Sequence, residues 1–189
     1  MQNQAFVFIK PHANTSQFQA VVKNTLAENG VTILESGNIT GQQIDTNKYI
    51  DQHYYAIASK ATLLQPKELN VPVDKFKKAF GESWEDALAA GRVFNAMGYA
   101  AHRNWSAEQL DKENFAQKKK GLTEKFGGGF YCTQFDNAGK KEYCFNGFFM
   151  SMRSKFTAAG TSINYYVVTF DPAKLSWEDF RGAVRFVSF

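Results

Sequence analysis

At Phe8-Ile9-Lys10-Pro11-His12 the sequence sets an ammonium and an imidazole two residues apart, just past an apolar run. A lysine that closes a buried strand ahead of a helix can point its charge into a cleft, where helix N–H groups also favour anions. That combination suits phosphate. A solvated lysine closing an edge is the ordinary alternative, because charged side chains are mostly exposed. His12 can face the same pocket as Lys10 or sit in a water-exposed loop. The other two histidines are plainer. His53, next to Tyr54 on a helical stretch, reads as a packing or capping residue. His102, in Ala100-Ala-His-Arg-Asn104, reads as loop without an acid partner. Three His and two Cys this widely spread do not form a zinc pattern. Cys132 and Cys144 are expected on paired strands as two packed, reduced thiols. Lys118-Lys-Lys120 with Lys125 is a basic run, either a solvated face or a surface for an acidic partner. Phe145, Phe148, Phe149 and Phe156 could stack bases, but strand aromatics more often form core.

The elements that must hold these residues are readable from spacing. Ala5 to Ile9 is a short apolar strand. Asn14, Thr15 and Ser16 offer caps, and Phe18, Val21, Val22, Thr25 and Leu26 recur at helical spacing until Gly30. Val31 to Ile39 is a second strand. Asp45 or Thr46 caps a helix over 46–59 carrying Ile50, Tyr54, Ile57 and Ala58. Beyond it, Val73 to Phe80, a segment opened by Ser83 and one opened by Ser106 are helices. Gly127-Gly-Gly129 marks a flexible break. Phe130 to Phe135 and Glu142 to Ser151 are strands around the turn residues Asp136-Asn-Ala-Gly139. Ile163 to Phe170 is a further apolar strand, and Ser176 caps a last helix.

Composition narrows the class. With 44% hydrophobic and 15% aromatic residues in 189, the chain can bury a core, which excludes intrinsic disorder. A net charge of +4 is too small to argue for nucleic acid. No window approaches the roughly 20 apolar residues of a membrane span, and no signal peptide is visible. A cytoplasmic protein without nucleic-acid or membrane partners is expected.

Ala5-Phe-Val-Phe-Ile-Lys-Pro11 resembles the first strand of the nucleoside-diphosphate kinases. The helix ending at Gly30, the strand from Val31 and the helix with His53-Tyr54 follow in that family's order. Ile163-Asn-Tyr-Tyr-Val-Val-Thr-Phe170 and Trp177-Glu-Asp-Phe-Arg-Gly-Ala-Val184 resemble its third sheet strand and the helix after it. The similarity covers roughly residues 5–64 and 163–184, which makes 65–162 an insertion within a single 1–189 domain. It implies an α+β, ferredoxin-like sandwich with a long helical and hairpin insertion. It also implies oligomers and phosphoryl transfer between nucleoside triphosphates and diphosphates through a phosphohistidine. Lys10 would neutralise phosphate, Tyr54 would line the site, and His12 would stand where the family has Asp. Mg²⁺ would arrive with the nucleotide, ATP or a nucleoside diphosphate.

The departures are as informative. After Val184 the family has Gly-x-Thr-Asp-Pro, an arginine, and later an Asn and the nucleophilic His; this chain has Arg185-Phe-Val-Ser-Phe189. No residue matches the nucleophile, and the base-stacking phenylalanine is not matched after Tyr54. The expectation is therefore a shortened, impaired or inactive kinase-like protein with no catalytic residue. The alternative is a non-catalytic scaffold on the same fold. The edge where the last strand would pair is expected to meet a second copy or a protein partner.

Overall fold

Small polar residues ahead of apolar runs set most helix starts. Thr15 accepts the N–H of Phe18, Ser83 that of Asp86, Asn95 that of Gly98, Ser106 that of Gln109 and Ser176 that of Asp179. The computed structural model describes residues 2–184; the divergent tail 185–189 lies outside them. In chain order the elements are β1 (Asn3–Ile9), α1 (Ser16–Glu28), β2 (Thr32–Thr40), α2 (Gly41–Thr46), α3 (Tyr49–His53), α4 (Tyr55–Ala58), α5 (Val73–Phe80), α6 (Trp84–Ala89), β3 (Val93–Asn95) and α7 (Ala96–Arg103). There follow α8 (Ala107–Lys119), β4 (Thr123–Gly127), β5 (Phe130–Asn137), β6 (Lys140–Phe145), α9 (Phe148–Thr157), β7 (Ser162–Phe170) and α10 (Trp177–Val184). This mixed α+β chain divides into two compact units. One combines the stretches up to Asn47 and from Lys155 on; the other is Lys48–Ser154.

The first unit is a three-stranded antiparallel sheet in the order β1-β7-β2. Strands β1 and β2, joined by α1, do not touch each other; β7 lies between them. Phe6 pairs with Val167 on one side of β7, and Glu35 pairs with Val167 on the other. One face of the sheet is covered by α1 and α10. Ile9, Val22, Leu26, Tyr166, Val168, Phe170 and Phe180 form the core there. The period of two along β1 sends Ala5, Val7 and Ile9 to this face and Phe6 and Phe8 to the other.

The second unit holds a four-stranded sheet in the order β3-β6-β5-β4, with β3 parallel to β6 and the other pairs antiparallel. Its core is aromatic: Phe76, Phe80, Trp84, Phe126, Phe130, Tyr143 and Phe145 are all buried. Ring pairs such as Phe76–Tyr143 at 4.8 Å and 63° meet edge to face, the arrangement that aromatic quadrupoles favour. The β5–β6 turn has positive φ at both Ala138 and Gly139, as two-residue hairpin turns of the I′ kind require.

Four local expectations change. The helix over 46–59 is broken into α2, α3 and α4, because Lys48 adopts a left-handed φ of 56° and Tyr54 leaves helical geometry. The second helix against the first sheet is α10, through Phe180. The strand over 142–151 stops at Phe145. Asn146, at φ 52°, turns the chain, and α9 begins at Phe148. The Asn146 amide donates to the carbonyls of Ile57 and Gly129 and accepts the N–H of Tyr131, so one buried side chain fixes three segments. Gly127-Gly-Gly129 is not a loose break but the tight turn between β4 and β5. A Cβ on Gly129 would lie 2.9 Å from Ile57 Cγ1. Finally, His102 lies inside α7 rather than in a loop.

A buried ion pair completes the second unit. Arg153 Nε on α9 donates to both carboxylate oxygens of Asp51 on α3, each at 3.0 Å, and Thr62 Oγ1 donates to Asp51 Oδ1 at 2.9 Å. Asp51 is 1% exposed. Removing one member of such a pair leaves the other charge buried and uncompensated. Asp51→Ala is expected to destabilise the protein by about 3–5 kcal/mol in urea unfolding, and Asn146→Ala by about 2–3 kcal/mol through its orphaned backbone partners. A loss under ~1 kcal/mol for Asp51→Ala would mean that the charge finds water.

Candidate functional site

Lys10 leaves the end of β1 with extended geometry, φ −62° and ψ 151°, and opens a single turn of 3-10 helix, Pro11–Ala13. The turn is closed by the Ala13 N–H on the Lys10 carbonyl at 2.9 Å. Both Lys10 and His12 are exposed. The structure thus brings these two residues onto one turn. The alternation of β1 carries Lys10 to the sheet face that α1 and α10 leave uncovered. Tyr54 lies in the other unit, half-buried at the α3–α4 break, with the exposed His53 ring edge-on to it at 4.7 Å.

The uncovered face continues back from Lys10 as an aromatic row. Phe6, 57% exposed, stacks on Tyr165 of β7 at 5.4 Å and 20°. Phe8 meets Phe156 edge-on at 6.3 Å. Gly37 on β2 lies opposite Tyr165, and a Cβ there would come within 2.7 Å of the tyrosine ring. The Tyr165 hydroxyl donates to Glu35 Oε1 at 2.6 Å, which holds its pKa above the usual value. At the other end, Asn14 Nδ2 donates to the carbonyl and hydroxyl of Ser162, locking the turn after Lys10 to the start of β7. Helix α1 has no acidic residue in its first turn, so its N–H groups add positive potential without an internal counter-charge.

A second cluster was invisible in the sequence. On the β6 strand, Glu142 is buried, and its Oε1 meets His102 Nε2 at 2.9 Å and Asn137 Nδ2 at 3.0 Å. An ionised carboxylate only accepts, so His102 Nε2 donates to it. Phe94 stacks flat on the imidazole at 4.7 Å and 20°. Arg103 lies 3.7 Å from Glu142 Oε2, donates to the Tyr99 hydroxyl at 2.9 Å, and rests over Trp105 at 4.3 Å. The pair therefore holds a partly exposed imidazole in one orientation. Forty residues separate its two members. Only their placement on α7 and β6, neighbours through β3, brings them together.

The remaining polar groups are structural ties. Arg92 pairs with Glu82, which also accepts from the Tyr143 hydroxyl at 2.7 Å; burial pushes the Tyr143 hydroxyl pKa up. Glu82 and Arg92 edge an open cavity of about 650 Å³ with Lys77, Lys140 and Lys141. Cys132 and Cys144 sit one register step apart on β5 and β6, both fully buried, and burial raises both thiols. They are inert as nucleophiles. Among the described residues no group of three or more His, Cys, Asp or Glu is placed to hold a metal ion, and no helix is long and apolar enough to cross a membrane.

Burial raises the Glu142 carboxyl pKa, but the hydrogen bonds from Asn137 and His102, with Tyr99 close by, bring the net below the ordinary carboxylate value. A depressed folded-state pKa adds stability that is complete above the unfolded pKa and fades as pH falls through the folded one. Glu142→Gln is therefore expected to cost about 1–3 kcal/mol near pH 7, with the gap to wild type narrowing toward roughly pH 3. Urea unfolding at the two pH values checks this; an equal gap at both would mean that shape, not charge, holds the cluster. No protein-family model, curated protein or solved structure matches the chain, so only its own residues speak for its function.

Proposed function

We propose that the chain is a nucleotide-binding protein of the nucleoside-diphosphate kinase type, in which Lys10 grips the phosphates and the first unit is the ferredoxin-like part. The observation that carries this reading is an exposed lysine at the end of β1, on the face that the two helices leave open. Around it, β1, α1, β2, β7 and α10 run in the order expected from the family resemblance. The antiparallel β1-β7-β2 order, with β7 between two strands joined by α1, supports a ferredoxin-like reading of this unit. An acid-free first turn in α1 supports anion binding beside Lys10. His12 stands on the same turn and would reach the same phosphates, and Mg²⁺ would come with the nucleotide. The chain binds without transferring: no residue matches the family's nucleophilic histidine, and a covalent route needs an activated nucleophile. β1 hydrogen-bonds on one side only, to β7, among the described residues. Its other edge would take a second copy of the chain or a protein partner.

Calorimetric titration with Mg²⁺–ATP tests the reading. Lys10→Ala is expected to lose about 1.5–3 kcal/mol of binding, the range for hydrogen bonds to charged groups, with its thermal midpoint unchanged. Binding that ignores Lys10→Ala sinks the assignment. After incubation with γ-labelled ATP no acid-labile phosphate should remain on the protein. Label on His12, abolished by His12→Ala but not by His53→Ala or His102→Ala, would make the protein a transferase instead.

A further inference from the structure

Helix α8 carries unlike polar groups along one face. Asp111, Asn114 and Lys118 follow each other one helical turn at a time, and all three line a cavity of about 280 Å³. The other walls come from the β4–β5 hairpin and the start of α9. All these elements belong to the second unit.

The row changes sign along its length. At one end Asp111 is half-buried, and its carboxylate has no hydrogen bond or ion pair among the described residues. At the other end Lys118 is exposed and adds an ammonium. Between them Asn114 is 8% exposed, and the two ends of its amide differ. Oδ1 is fully covered on the Gly147 side, where a Cβ would come 3.0 Å from it. Nδ2 is the end left to meet the cavity, and it has no partner among the described residues. Native proteins seldom leave so buried an amide unpaired. Across the cavity Thr123 and Thr133 share one hydrogen bond at 3.0 Å. One hydroxyl donates it, so the other keeps an O–H for a further acceptor. The rest of the lining is aromatic. Tyr131 and Phe148, both half-buried, stand 5.6 Å apart with 89° between their planes.

We infer that this cavity binds a free α-amino acid with an apolar side chain. Its ammonium meets Asp111, its carboxylate meets Asn114 Nδ2, the spare threonine hydroxyl and Lys118, and its side chain lies against Tyr131 and Phe148. Charge decides the class. A simple anion would be opposed by Asp111, and a simple cation by Lys118 and the N–H and O–H donors; a zwitterion answers both ends. Spacing decides the kind of zwitterion. Side chains one turn apart on a helix start roughly 5–6 Å from each other, so Asp111 and Asn114 can converge on two charges borne by a single carbon. The volume is slightly below the roughly 300 Å³ at which pockets for drug-sized ligands begin, which suits an amino acid and is too small for a nucleotide. The site does not use Lys10.

Calorimetric titration of the full chain with L-leucine, 4-methylpentanoate and 3-methylbutylamine tests this, because the second lacks only the ammonium and the third only the carboxylate. Leucine should bind at least about tenfold more tightly than either, the lower end for hydrogen bonds to charged groups. Asp111→Asn should abolish the preference over 4-methylpentanoate and keep the preference over the amine. Asn114→Leu, which holds the branched shape and removes the donor, should reduce the preference over the amine while its thermal midpoint stays level or rises. Lys118→Gln should weaken leucine by a smaller factor, since its charge is screened by water. Lys10→Ala should leave leucine binding unchanged, which separates this site from the nucleotide reading above. Binding of leucine no tighter than either half, a preference over 4-methylpentanoate that survives in Asp111→Asn, or no saturation by leucine at about 10 mM overturns the inference.

Discussion

Strand β7 is the piece on which the first unit depends. Strands β1 and β2 each hydrogen-bond to β7 and to no other strand of the sheet. Without β7 they are two separated ribbons, each with an apolar side facing water. The helices follow from the same constraint. Helix α1 can cover the sheet only once Tyr166 and Val168 fill the middle of the face, and α10 joins it through Phe170 and Phe180, whose rings stack at 4.6 Å. Lys10 inherits its position from this. Asn164, the β7 partner of Ile9, and Ser162, held by Asn14, fix both sides of the turn on which the lysine stands.

The second unit solves a different problem. Its sheet is short and its core is made of rings, so few methyl-to-methyl contacts set the register. Buried polar side chains do that work. Asn146 satisfies three backbone groups from two segments, and Arg153 and Thr62 together serve Asp51. Glu142 is met by His102 and Asn137. Each of these groups would be costly if left alone, so each permits one arrangement of its neighbours and penalises the rest. The service is incomplete at two buried atoms of this unit, Asn114 Oδ1 and Glu142 Oε2, which have no hydrogen-bond partner.

Much of this was legible from local chemistry. Thr15, Ser83, Ser106 and Ser176 announce helix starts because a cap needs only the residue itself and an N–H three positions on. The apolar runs at 5–9 and 163–170 announce strands that must be covered. The lysine after the first run is visible as a charge at a strand end. What failed was long-range. Glu142 to Ser151 has strand-like composition throughout, and only the three bonds of Asn146, to residues far off in the chain, explain why it turns. Lys48 carries no signal for a left-handed residue, so the break in the helix over 46–59 could not be read. His102 lacked an acid partner in its own neighbourhood because Glu142 is 40 residues away. A Ser-x-x-Asp motif is a local fact; a histidine beside a glutamate is a fact of topology.

The placement of β7 also imposes a timetable. Asn38 on β2 precedes Ser162 on β7 by 124 residues. A ribosome adding roughly 5–20 residues per second needs on the order of 6–25 seconds to cover that distance. Throughout that interval β1 and β2 exist as exposed strands with no central neighbour. The second unit, contiguous from Lys48 to Ser154, can close on itself as it emerges. The nascent chain therefore has its earliest segments waiting the longest, and Phe6 and Leu34, both still exposed in the finished protein, are among the surfaces a chaperone would meet first.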